Sequence, residues 1–188
     1  MASFLIAYGT SEGQTAKVAE RIAETIGERG HDATTLDVSG GGEHDVAAFD
    51  AVLVGSSIHV GKHQPAVAEF VTDHGAALSE RPTGFFQVSL SSATDDEERR
   101  AEAASYADTF VEETGFEPDR IGLFGGALRY SKYGFLKRMM LKRIAAEATG
   151  DTDTSQDYEY TDWPEVEAFA DDFAAFVEGR TGATAPDK

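Results

Sequence analysis

Gly9-Thr10-Ser11-Glu12-Gly13-Gln14-Thr15 is the stretch that decides the fold of this chain. The apolar run Phe4-Leu5-Ile6-Ala7-Tyr8 leads into it, and Val18, Ala19, Ile22, Ala23 and Ile26 recur at helical spacing on the way out. The order is strand, tight hydroxyl-rich turn, helix. Such a turn aims free backbone N–H groups and the positive end of a helix at one point, which suits a phosphate. Thr10, Ser11 and Thr15 add hydroxyl donors, and Gly13 lets the backbone approach a ligand closely. The turn is neither G-x-G-x-x-G nor G-x-x-x-x-G-K-[ST], and it holds no Lys or Arg, so a phosphate here is held by neutral donors. The plainer reading of the same residues is a helix cap by Thr10 or Ser11.

With 188 residues and 41% hydrophobic content the chain is expected to form one domain, over 1–179, with a loose tail at 180–188. No apolar stretch approaches the ~18 residues that would span a bilayer. The first residues enter a strand directly, so no signal peptide is read. There is no Cys, which excludes disulfides, thiolate metal sites and a Cys nucleophile, and no metal site is read. These features together predict a cytoplasmic protein. The net charge of −18, from 34 acidic and 16 basic residues, argues against a nucleic-acid partner. Only six basic residues are Lys, and an acidic, Lys-poor, Cys-free composition fits the high-salt cytoplasm of a halophile.

Further strands are predicted at Ala33–Val38, Asp50–Gly55, Thr83–Ser89 and Arg120–Gly126. Helices are predicted between them: Pro65–His74, a segment capped by Thr94 and Glu97 and running to Thr114, and Gly134–Ala148. A last helix is capped by Asp162 and Glu165, has Pro164 in its first turn, and carries the stripe Val166, Phe169, Ala170, Phe173, Phe176 and Val177. Strands alternating with helices predict a doubly wound five-stranded parallel sheet, helices on both faces, with a helical insertion after the fifth strand. Ligands of such sheets sit at the carboxyl ends of the strands. The loops there are Gly9–Thr15, Gly55–Gly61, Ser89–Thr94 and Gly125–Tyr130.

Ser56, Ser57, Ile58 and His59 after the third strand, and Ser89, Leu90 and Ser91 after the fourth, offer backbone groups and hydroxyls to a flat heterocycle. Neither loop has a Trp or Tyr to stack on it. His59 is a candidate proton donor, or simply a solvated loop residue. The segment 126–143 gathers six of the sixteen basic residues: Arg129, Lys132, Lys137, Arg138, Lys142 and Arg143. Its helix places Phe135, Leu136, Met139, Met140 and Ile144 on one half of the circumference. That pattern fits a helix packed into the core, or a basic amphipathic surface over 133–148 for a membrane or an anionic substrate. Trp163, at a helix start, is expected to pack as a staple.

The turn resembles the T-x-T-G-x-T phosphate loop of flavodoxin-like proteins, with Ser11-Glu12-Gly13 in its centre. Gly55-Ser56-Ser57-Ile58, Gly126-Ala127-Leu128-Arg129-Tyr130, Asp151-Thr152-Asp153-Thr154 and Tyr160-Thr161-Asp162-Trp163 are similar to the menaquinone-dependent protoporphyrinogen IX dehydrogenases, from the first strand to the last helix. The resemblance implies a flavodoxin-like fold, bound FMN, and oxidation of protoporphyrinogen IX to protoporphyrin IX with electrons passed to a membrane quinone. It implies that Thr10, Ser11, Glu12, Gly13, Gln14 and Thr15 hold the FMN phosphate, and that Ser56, Ser57, Ile58, His59, Ser89, Leu90 and Ser91 hold its ring. Arg129, Tyr130 and Lys132 become candidate substrate contacts, with His59 and Arg129 as catalytic candidates. The protein would then be cytoplasmic and peripheral at the inner face of the membrane. A flavodoxin-like electron carrier and an NAD(P)H:quinone reductase stay open as other classes on the same fold.

Overall fold

A computed structural model describes residues 1–42, 44–130 and 134–182, and leaves aside the side chains of Phe135 and Ala148. Five parallel strands, β1 (Ser3–Gly9), β2 (Asp32–Asp37), β3 (Ala51–His59), β5 (Thr83–Ser89) and β6 (Arg120–Gly125), form the central sheet. Their order is β2-β1-β3-β5-β6, and the two-residue β4 (Lys62–His63) folds back antiparallel on the end of β3. The order reverses between β1 and β3, and that is where a doubly wound sheet opens a crevice at its carboxyl edge.

The pleat explains why both faces are covered. Successive side chains of a strand point to opposite sides, so buried parallel strands need apolar residues at every position. Phe4, Ile6, Leu53, Phe86 and Val88 point one way, into a core closed by α1 (Gln14–Glu28) and α6 (Trp163–Thr181). Leu5, Ala7, Val52, Val54 and Phe85 point the other way, into a core closed by α2 (Pro65–Asp73) and α4 (Glu97–Thr114), with the short α3 (Gly75–Ser79) beside them. The expected stripe of α6 is present: Val166, Ala170, Phe173 and Val177 are fully buried. Trp163 packs against the same core.

A third, smaller core forms after β6. The two-residue strands β7 (Ala127–Leu128) and β8 (Tyr158–Glu159) pair antiparallel and bracket the insertion that carries α5 (Phe135–Ala148). Leu128, Tyr130 and Ala145 are buried there, against Leu90, Leu141, Tyr158 and Tyr160.

Three local expectations change. The cap of α4 is Asp96, whose side chain accepts from Arg99 N, while Thr94 Oγ1 accepts from Asp96 N; the predicted Thr94–Glu97 box sits two residues too early. The third strand runs four residues past Gly55, because Ser56 and Ser57 continue the ladder with β5, and Ile58 and His59 pair antiparallel with β4. The last helix continues to Thr181 and ends at Gly182 in the left-handed region, beyond the Gly179 boundary drawn for the tail; residues 183–188 lie outside the described residues. The Asp162 cap is as expected, its carboxylate accepting from Glu165 N.

Candidate functional site

The turn after β1 is closed by its own side chain. Thr10 Oγ1 accepts from Gly13 N at 2.9 Å, and Gly13 takes φ +94°, a conformation that a side chain would strain. Gly13 is also the N-cap of α1, so no side chain caps the helix, contrary to the capping role open to Thr10 or Ser11. The first N–H groups of α1 are thereby left to an outside acceptor. Thr15 strengthens the case. Its hydroxyl is buried and, among the described residues, has no hydrogen-bond partner. A buried orphan hydroxyl beside uncapped helix amides fits an anion that accepts from both.

A cavity of about 320 Å³ opens from this turn along the carboxyl edge of the sheet. Thr10, Ser11, Glu12, Gln14 and Thr15 line one end. Ser57, Ile58 and His59 line it from the β3–β4 hairpin, and Ser89, Leu90 and Ser91 from the loop after β5. Ser56 is not among the lining residues. Its buried hydroxyl accepts from Gln64 N and donates to Ser57 O, so it braces the hairpin from behind. The hairpin tip, Val60-Gly61, has φ +51° and +72°, the left-handed pair of a type I′ turn. A β-branched residue there is strained. That Val60 is 76% exposed and lines the cavity mouth.

The aromatic ring missing from both loops comes from α4. Tyr106 lines the cavity and reaches Gly61, where a Cβ would stand 3.7 Å from its hydroxyl oxygen. Burial and a 3.0 Å hydrogen bond to Glu102 Oε1 raise the Tyr106 hydroxyl above its ordinary pKa. Glu102 also accepts from Ser91 Oγ at 3.0 Å. Arg99, Glu102 and Tyr106 sit at helical positions i, i+3 and i+7, one face of α4. That spacing is the signal from which the sequence could have given them.

α5 supplies the remaining wall through Met140, Leu141, Ile144 and Glu147. It is tied to the phosphate turn by Lys137 Nζ and Glu12 Oε1 at 3.1 Å, and faces α4 through Arg99 Nη2 and Glu147 Oε2 at 3.6 Å. The helix is turned opposite to a core-packed reading. Leu136, Met139, Met140 and Ile144 are exposed, Leu136 by 81%, while Arg138 points inward and donates to Tyr130 O.

Two candidate substrate contacts move. Arg129 does not line the cavity: its Nη2 donates to Gln14 Oε1 at 2.8 Å and to Glu159 Oε2 at 3.2 Å. Burial would raise the Glu159 carboxyl, but Lys17, Trp163 and Gln14 outweigh it and hold the group below its usual range. Tyr130 is fully buried, its hydroxyl donating to Asp151 O, so it supports the insertion from inside. Lys132 lies outside the described residues. Gln14 has its side chain committed, its Nε2 donating to Thr161 Oγ1 at 2.8 Å, and offers a ligand its backbone only.

A family model described as a flavodoxin domain matches residues 5–155. An Escherichia coli (strain K12) protein named protoporphyrinogen IX dehydrogenase (quinone) is 35% identical over 177 residues, covering 94% of this chain and 97% of the relative. A Leishmania major protein of the same name is 32% identical over 172 residues, covering 91% of this chain and 74% of the relative. Among solved structures, a short-chain flavodoxin associated with a non-canonical PDU bacterial microcompartment superposes with TM-score 0.60 at 12% identity, over 94% of this chain and 99% of that one. The rubredoxin oxygen:oxidoreductase of Desulfovibrio gigas gives 0.56 at 14% identity, over 96% of this chain but 37% of its own length. The structural likenesses concern the fold alone.

Proposed function

We propose, from the premise that this chain belongs to the flavodoxin family and to its protoporphyrinogen IX dehydrogenase (quinone) members, that it oxidises protoporphyrinogen IX and passes the electrons to a quinone. The observation that carries this reading is the 35% identity over 94% of the chain, which includes the insertion as well as the sheet. The cofactor is FMN, and the uncapped helix start and orphan Thr15 hydroxyl fit its phosphate. When bound, FMN supplies the two-electron chemistry, taking reducing equivalents from a donor and giving them to an acceptor.

The chain's own residues hold, orient and enclose. Thr15 Oγ1, the hydroxyls of Thr10 and Ser11, and the amides of Gln14 and Thr15 at the uncapped start of α1 face the phosphate end. Ser57, Ile58 and His59 on one side and Ser89, Leu90 and Ser91 on the other face the ring end. Tyr106 adds the flat wall that the loops lack. Met140, Leu141 and Ile144 make the remaining wall apolar, so a flat hydrophobic macrocycle can displace water from beside the ring.

The exposed arc Leu136, Met139, Met140 and Ile144 supports peripheral docking of the protein on the inner face of the cytoplasmic membrane, where a quinone resides. Among the described residues no helix is long and apolar enough to cross a membrane. The test is anaerobic turnover of protoporphyrinogen IX with a quinone, beside a nicotinamide control. Turnover that requires the quinone supports the reading. Quinone reduction driven by nicotinamide with no oxidation of the porphyrinogen removes it.

A further inference from the structure

Three carboxylates line the cavity, Glu12, Glu102 and Glu147, and among the described residues one cation does, Arg99. Arg99 sits in the first turn of α4, on the face that also carries Glu102 and Tyr106. Its Nη1 is 3.7 Å from Glu102 Oε2 and its Nη2 is 3.6 Å from Glu147 Oε2. Both distances exceed hydrogen-bond length, and among the described residues the guanidinium makes no hydrogen bond. Glu102 is occupied by Ser91 and Tyr106. The Glu147 side chain is 75% exposed. Arg99 is thus positioned by charge, with its donor fork still to be filled. Arg129 is the opposite case, hydrogen-bonded to Gln14 and Glu159 away from the cavity.

A porphyrinogen brings carboxylates to a chain of net charge −18. General repulsion has to be overcome locally, and a planar guanidinium matches a carboxylate with two parallel hydrogen bonds. We propose that Arg99 is a substrate-binding residue that receives a propionate carboxylate and makes the site selective for the free acid over its ester. The carboxylate displaces the exposed Glu147 side chain from the guanidinium, while Glu102 keeps α4 in register. The assignment rests on the reading of the chain as a protoporphyrinogen dehydrogenase.

The test compares protoporphyrinogen IX with its dimethyl ester, which keeps the macrocycle and removes both negative charges. Wild-type holoenzyme, Arg99→Gln, Arg99→Lys and Glu147→Gln are assayed with each, and flavin content is measured for all four. Arg99→Gln is expected to lower kcat/KM for the acid ~10–100-fold through KM, the range for hydrogen bonds to a charged group, and to leave the ester rate and flavin content as they are. Arg99→Lys, which keeps charge but loses the fork, falls between. Glu147→Gln retains the preference for the acid. Equal losses on acid and ester, or the same loss of preference in Glu147→Gln, would mean that Arg99 merely bridges α4 and α5, and would overturn the assignment alone. A wild-type enzyme that oxidises neither compound would remove the underlying reading, and this assignment with it.

Discussion

Arg129 Nη2 and Gln14 Oε1 stand 2.8 Å apart, so the chain leaving the sheet after β6 is latched to the first residue of α1. The latch continues: Gln14 Nε2 donates to Thr161 Oγ1, and Thr161 Oγ1 donates to Gly125 O. Sequence-distant segments therefore fix where α1 begins, and with it where its uncapped amides point. Arg129→Ala is expected to weaken FMN ~3–10-fold, about 1 kcal/mol for a partly exposed charged hydrogen bond, while the KM for porphyrinogen moves little. Flavin titration beside steady-state kinetics reads both. A raised KM at full flavin affinity would return Arg129 to the substrate.

Thr15 gives the sharper test of the phosphate site. In the protein without cofactor its buried hydroxyl lacks a partner, which costs stability. Thr15→Val keeps the shape and removes that cost. The variant without cofactor should melt at the same temperature or higher, while FMN affinity falls by ~1–3 kcal/mol. A variant that loses stability but keeps FMN would place the phosphate elsewhere.

What the sequence shows here and what it hides follow from physical range. The phosphate turn, the buried strands and the α6 stripe depend on contacts within a few residues or on period, and they were legible. The α4 cap slipped from Thr94 to Asp96 because both residues suit a cap and only the tertiary path selects one. The two loops at the strand ends offer the cavity no Trp or Tyr side chain, whereas Tyr106 arrives from a helix whose apolar residues suggest nothing but packing. Arg129 and Tyr130 occupy adjacent motif positions, yet one is spent on a latch and the other on a small core. The amphipathic pattern of α5 is visible, but which half faces inward depends on partners remote in the chain, such as Glu12, 125 residues away from Lys137.

His63 offers a pH test of the hairpin that carries Ile58–Gly61. Its ring packs between Phe85 and Phe110, and its Nε2–H donates to Gln87 Oε1, because Gln87 Nε2 donates to Ala103 O. Burial, partly opposed by the Gln87 bond, pushes the His63 pKa down from 6.5 to about 4. Above pH 6.5 both folded and unfolded chains hold the ring neutral. As pH falls from 6.5 toward 4 the unfolded chain takes a proton that the folded chain refuses, so stability is lost across that window. Allowing for residual solvent contact, the loss is on the order of 2 kcal/mol. Urea unfolding of wild type and His63→Phe at pH 7, 6, 5 and 4 should show a flatter profile for the variant. Parallel profiles would mean that the ring is not held neutral.

Membrane docking by α5 sets charge against greasiness, and the orientation of the helix decides the expectation. Lys137 is paired with Glu12 and Arg138 bonds Tyr130 O, so two of the four basic side chains of this helix already serve the protein. Lys142 and Arg143 are exposed, and each would add about 1 kcal/mol near an anionic leaflet at low salt. In molar salt the Debye length falls to ~3 Å and that attraction is largely screened. Apolar contact at ~25 cal/mol per Å² is not screened, and Leu136, Met139, Met140 and Ile144 are exposed to supply it. Co-sedimentation with anionic vesicles across a salt series should therefore show binding that persists at high salt, and Leu136→Asp combined with Met139→Asp should abolish it. Binding that collapses with salt would give the docking to Lys142 and Arg143 instead. No binding at any salt would leave the arc to the porphyrinogen and quinone alone, with the protein meeting its quinone away from the bilayer surface.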